Sequence, residues 1–269
     1  MAINTGEKPI NIKNLVVEKP KETVRPFDAE TEITKEDWEV IDGFINKFKH
    51  VNSTSASLLT DIKLLSPERF ATYKLLEPDW TQVVGQVPTM KTSIATSYAA
   101  LFDKVPEKLG LDDDFYKKLV EDVKARNEIF GVMQVARLVP ERLNELATDE
   151  RQDYNLKKLK FYRDSSDYRD WAWWGGMFRI LYPRQNLGIN NKDWEGMRKQ
   201  LRGQMDRALE QKAKFEDDWS PAEFVSEAMH MKILAADEVK VDKDGIHLIF
   251  NPQTGSSEEA PPLPESKKY

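Results

Sequence analysis

Residues 220–250 read SPAEFVSEAMHMKILAADEVKVDKDGIHLIF, and the hydrophobic period changes once inside them. Ser220, Pro221 and Glu223 make a helix start. The serine can cap free N–H groups, the proline lacks an N–H that would go unused there, and the glutamate can reach back to the cap. Phe224, Val225, Ala228, Met231 and Leu234 then recur at helical spacing and turn one stripe inward. From Glu238 to Val241 the pattern alternates. It passes the turn formers Asp242-Lys-Asp-Gly245 and alternates again from Ile246 to Phe250. A helix followed by a small β-hairpin is the reading. A lone hairpin is marginal in water, so it is expected to pack on that helix or to recruit another strand. Ile10–Val17 is the one other candidate strand.

Upstream, the period stays helical back to Thr34. Thr34-Lys-Glu-Asp37 has capping-box form, followed by Trp38, Ile41, Phe44, Ile45 and Phe48. Leu58, Leu59, Ile62 and Leu65 form the next stripe. Phe115, Leu119, Val123, Phe130 and Met133 lie along a longer one. The expected fold class is therefore all-α: an irregular helical repeat or bundle over residues 34–236, with a C-terminal β-hairpin over 237–250. Residues 1–33 are read as an extended arm. Residues 251–269 are read as a disordered Pro-rich tail, because they hold too little apolar surface to offset the entropy of ordering. Pro261-Pro262-Leu263-Pro264 has polyproline character and is similar to WW- or SH3-domain ligands, without the usual flanking basic residue.

Two patterns recur inside the helical part. An acid precedes an aromatic at Asp37-Trp38, Asp79-Trp80, Asp114-Phe115, Asp153-Tyr154, Asp193-Trp194 and Asp218-Trp219, at intervals of 42, 35, 39, 40 and 25 residues. Basic and apolar runs end in proline at Pro67, Pro106, Pro140 and Pro183. Lys104-Val-Pro-Glu-Lys-Leu and Leu138-Val-Pro-Glu-Arg-Leu lie 34 residues apart. Aspartate suits a helix start, and proline at a first helical position ends whatever helix precedes it. On these patterns the chain resembles tandem helical-repeat proteins of the HEAT or TPR type. It lacks the Trp-Leu-Gly-Tyr spacing of TPR and the Thr-Pro-Leu-His of ankyrin. The resemblance implies a scaffold for protein contacts.

The composition excludes more chemistry than the motifs add. The 269 residues include no cysteine and three histidines, with 40 Lys and Arg against 46 Asp and Glu. There is no disulfide framework, thiol nucleophile or Cys-ligated metal. No phosphate-binding loop, Gly-x-Ser-x-Gly or His-Glu-x-x-His occurs. Neither a secretory leader nor a run of about 18 apolar residues is present, so a cytoplasmic location without a transmembrane segment is expected. No enzyme activity and no cofactor is expected.

Trp171-Ala-Trp173-Trp174-Gly175-Gly176-Met177-Phe178 holds three of the seven tryptophans. At helical spacing the aromatic side chains cover a face too broad for ordinary one-sided burial. It reads either as a central core helix, whose glycines admit a neighbour, or as a partner-binding patch built from Trp171, Trp173, Trp174 and Phe178. Membrane-surface contact is the third option. Charge is also uneven. Residues 155–214 hold 14 Lys and Arg against 7 Asp and Glu, a net of +7, within a chain of −6; the remainder therefore carries −13. Arg198, Lys199, Arg202 and Arg207 line one helix. They could meet a partner, form a nucleic-acid track with the nearby aromatics, or dock the chain's own acidic part. Glu227-Ala-Met-His230 places a carboxylate and an imidazole on one helix face, the spacing of di-iron bundles, but no second copy exists. Asp112-Asp113-Asp114 and Glu216-Asp217-Asp218 both read as negatively charged helix starts; the first lacks the ligand pattern of a calcium loop.

The expected function is a non-enzymatic protein-interaction scaffold or a structural subunit of a larger assembly. Its contacts are expected at Trp171–Phe178 and Arg198–Arg207, and its partner is expected to be a protein. A nucleic-acid-associated helical protein using residues 155–214 is the alternative. A metal-dependent oxidative enzyme at Glu227 and His230 is the third reading.

Overall fold

The computed structural model describes residues 24–48, 51–74, 78–81, 83, 92–102, 109–211 and 220–250. The Ile10–Val17 segment, His50, Pro106, Asp218-Trp219 and the Pro-rich tail lie outside the described residues. Within them the chain is mostly helical and ends in a two-stranded antiparallel hairpin. The helices are α1 (Ala29–Glu32), α2 (Lys35–Ile45), α3 (Ser53–Leu65), α4 (Pro67–Phe70), α5 (Thr92–Leu101), α6 (Asp113–Lys124) and α7 (Val132–Leu138). A 3-10 segment (Pro140–Leu146) leads to α8 (Asp149–Asp164), α9 (Tyr168–Leu181), α10 (Asn191–Gln211) and α11 (Ser220–Ala235).

Helix starts follow the side-chain chemistry. Thr34 and Asp37 form a reciprocal capping box, with bonds of 3.2 and 2.9 Å. Asn190 and Asp193 repeat it at the start of α10, at 3.1 and 3.0 Å. These two acid–aromatic pairs are structural equivalents. Asp153 is different: it is exposed inside α8, where Thr148 supplies the cap. Pro67 and Pro140 each open a short helix, as proline at a first position should. The long stripe from Phe115 to Met133 is broken. α6 ends at Lys124, and the chain turns at Gly131, whose φ is +81°. A Cβ there would lie 2.4 Å from a methyl of Val123, so only glycine fits the turn.

α11 is the centre. It packs on α2, α3, α9 and α10, and Phe224, Val225, Ala228, Met231 and Leu234 are all buried, as the spacing predicts. In a solenoid each unit meets its sequence neighbours. Here the last helix closes on the first ones, so the packing is that of a bundle. Each of its large side chains contributes about 1.5–3 kcal/mol by burial. α9 approaches α11 through its glycines. A Cβ on Gly176 would meet His230 Cβ and Cδ2 at 2.9 Å, and one on Gly175 would meet a Leu234 methyl at 3.1 Å. A satellite cluster of Val51, Ala56, Leu59, Val83, Tyr98 and Leu109 lies outside the main core.

One boundary and one packing contact differ from expectation. Residues 24–33 belong to the packed body: Phe27, Ala29 and Ile33 are buried, and Asp28 caps α1. The polar composition of the arm hides these three anchors. The hairpin strands, β1 (Glu238–Asp242) and β2 (Gly245–Ile249), pair antiparallel about the expected turn, with Val239 opposite Leu248. Their main neighbours are α7, the 3-10 segment and α9 rather than the preceding helix. Val239 is the hairpin's buried anchor.

Candidate functional site

The four aromatic residues expected to make one patch separate. Trp171, Trp174 and Phe178 are buried in the main core, the placement that the core-helix reading expects of them. The physical reason is that α9 is packed between α8, which meets Trp174 through Asn155, and α11, which approaches through Gly175 and Gly176. Trp174 is also satisfied internally. Its indole N–H donates to Asn155 Oδ1 at 2.8 Å, and the Asn155 amide donates to the carbonyls of Asn127 and Arg151. Trp173 is half-buried and stays at the surface.

The basic helix separates in the same way. Arg198 donates to both oxygens of Glu32, at 2.7 and 2.9 Å, and to the carbonyls of Arg25 and Pro26. Arg202 forks onto buried Asp37 at 2.7 and 2.9 Å and also reaches Asp206. Arg198 and Arg202 therefore hold the N-terminal acidic segment to α10, the docking of the chain's own acidic part, while both side chains stay partly exposed. Burial pushes the Asp37 carboxyl up. Hydrogen bonds from Arg202 and the Thr34 N–H outweigh that and hold it below its ordinary value. Lys199 and Arg207 are exposed. Elsewhere in the basic segment, Arg163 pairs with Asp193, Arg169 with Glu223, and Arg179 with the Ala236 carbonyl.

Trp173 meets residues scattered through the sequence. With Phe130, Tyr162 and Trp174 it lines a cleft of about 330 Å³. The centroid of Phe130 lies 5.3 Å from Trp173 and 5.5 Å from Trp174. Tyr162 is 5.6 Å from Trp174. Phe130 is 42% exposed, a large apolar ring at a surface opening. It stands there because the chain turns immediately after it, at Gly131, so that it belongs to no helix. The polar lining comes from α9 and α11: Arg169, Asp170, Glu223, Ser226 and Glu227.

Glu227 is the unusual member. It is 3% exposed, and one oxygen accepts from the Gln204 amide. Its Oε1 has no hydrogen-bond partner, and neither has Gln204 Oε1. Burial pushes its carboxyl up to about 8. Arg169 opposes that shift, Glu223 adds to it, Arg207 opposes it, and Asp167 adds to it. Burial, with Asp167, also raises Asp170. One turn along α11, the His230 Nδ1–H donates to the Ser226 carbonyl at 2.6 Å, and the ring lies 5.9 Å from Trp173. Burial pushes His230 down to about 4, so it is neutral at pH 7.

Among the described residues, Glu227 and His230 gather no third His, Asp or Glu suited to a metal. In those residues no helix is long and apolar enough to cross a membrane. The cleft thus joins two expected features, the aromatic segment and the Glu227 helix, with Phe130, which sequence reasoning placed in the stripe from Phe115 to Met133, and with Tyr162 of α8. Compared with known proteins, the chain matches no family model, no curated protein and no solved structure.

Proposed function

We propose that this chain is a non-enzymatic interaction module, a subunit of a larger assembly, and that it recognises a protein partner at the cleft between α9 and α11. The observation that carries the reading is the concentration of accessible aromatic surface there: the exposed ring of Phe130 beside half-buried Tyr162 and Trp173, backed by the rigid, hydrogen-bonded Trp174. Aromatic side chains in a desolvated pocket are the usual anchors of protein recognition. The basic segment supports the same choice. Arg163, Arg169, Arg179, Arg198 and Arg202 are engaged inside the chain, which leaves fewer free charges for a phosphate backbone.

Quantitative affinity capture from native lysate tests it. A Phe130→Ala/Trp173→Ala double variant that folds normally should lose the specific partners of the wild type. A Lys199→Glu variant should keep them. An identical partner set from the cleft variant, or salt-sensitive nucleic acid lost with the charge variant, would defeat the proposal.

A further inference from the structure

We infer that the cleft takes a lysine side chain of the partner polypeptide, its alkyl stem lying along Phe130 and Trp173 and its ammonium bonded to Glu227. This deepens the interaction reading above and rests on it.

Three observations point to that occupant. Aromatic faces attract cations, and Phe130, Tyr162, Trp173 and Trp174 surround the opening. Charge agrees: Asp170 and Glu223 line the cleft against the single cation Arg169, which pairs with Glu223, and Glu227 adds a negative charge when it ionises. Glu227 Oε1 is buried and without a partner, and once the carboxyl ionises it is an acceptor in need of a donor. The choice of lysine over arginine follows from that last atom. Gln204 holds the other oxygen, so the carboxylate offers one free acceptor. A guanidinium fork wants two, whereas an ammonium is a point charge on a thin, flexible stem. About 330 Å³ is at the small end of ligand clefts, room for a side chain rather than for a packed helix.

Binding has a proton consequence. The charged groups around Glu227 are Asp167, Arg169 and Asp170 from the α9 side, Arg207 on α10, and Glu223 on its own helix; Tyr162 of α8 and neutral His230 complete the surroundings. An arriving ammonium favours the ionised carboxylate, so Glu227 releases one proton to solvent as the salt bridge forms. Affinity should rise as pH increases from 6 towards 9.

The experiment titrates the full chain with Nα-acetyl-lysine N-methylamide and follows the tryptophan indole N–H resonances. Saturable shifts at Trp173 and Trp174 are expected, with the norleucine and arginine analogues at least about tenfold weaker. Glu227→Gln preserves size and the amide contact. It should weaken lysine binding by about tenfold or more and abolish its pH dependence, with the remaining resonances in place. Wild-type affinity in Glu227→Gln, equal binding of the norleucine analogue, or tighter binding of free n-butylammonium overturns the inference. Failure here combined with partner capture that still depends on Phe130 and Trp173 removes the lysine and leaves the interaction module. Loss of both removes both.

Discussion

Trp173 and Trp174 are neighbours in sequence and opposites in the structure. Trp174 is 4% exposed and gives its N–H to Asn155; Trp173 is half-buried and forms the wall of an open cleft. A single helical step of about 100° separates a structural role from a surface one. Composition cannot distinguish the two, because the difference is made by what packs opposite. α8 brings Asn155 to Trp174, and α11 brings the ring of His230 beside Trp173 and lines the open cleft with Ser226 and Glu227.

The largest effect should come from breaking the buried member. Trp174→Ala leaves a core cavity and strips Asn155 of its donor, and should cost about 3–5 kcal/mol in urea unfolding. A loss under about 1 kcal/mol would mean that Trp174 is not a core residue.

Glu227 sharpens the cleft side. Its native pKa is about 8, above the ordinary glutamate value in the unfolded chain. The stability it contributes is therefore complete at acid pH and lost as pH rises towards 8. Glu227→Gln removes that loss. Relative to wild type it should gain on the order of 2–4 kcal/mol between pH 5 and 8.5, read from urea melts at both pH values. Parallel pH curves would show that the carboxyl is not strained by burial. Asp37 has the opposite sign. Its native pKa is lowered, so its contribution is present at neutral pH and lost in acid, and Asp37→Asn should flatten the acid limb of the stability curve.

Gly176→Ala tests why the tryptophan segment is buried at all. The added methyl meets His230 Cβ and Cδ2 at 2.9 Å and its Cα at 3.1 Å, so the helices must part, at about 1–3 kcal/mol. Thermal melts that match the wild type would show that α11 can give way. Smaller still, Trp173→Ala should cost about 1–2 kcal/mol, while abolishing recognition at the cleft. Lys199→Glu and Arg207→Glu should stay within about 0.5 kcal/mol, since both side chains are exposed.

The fold was legible where side chains act locally. The inward stripe of α11 from Phe224 to Leu234, the hairpin turn at Asp242–Gly245 and the capping box at Thr34 depend on residues within a few positions of one another. The cleft was legible only in pieces. Glu227 could be read as an acid on the inward stripe with Phe224, Met231 and Leu234, which is a signal of burial. The meeting of Phe130 with Trp173, 43 positions later, depends on the turn at Gly131 and on how α7 lies against α9. The basic helix misled for a related reason. Arg198 and Arg202 looked available because their acids, Glu32 and Asp37, are more than 160 residues away.

The most direct test of recognition at this cleft is site-specific photo-crosslinking. Benzoylphenylalanine replaces Phe130 with a ring of the same kind at the cleft rim, and Lys199 provides the matching position on the basic helix. In native lysate the 130 probe should yield one dominant protein crosslink, abolished by Trp173→Ala, and the 199 probe should yield none. A dominant crosslink from 199 with none from 130 would contradict it.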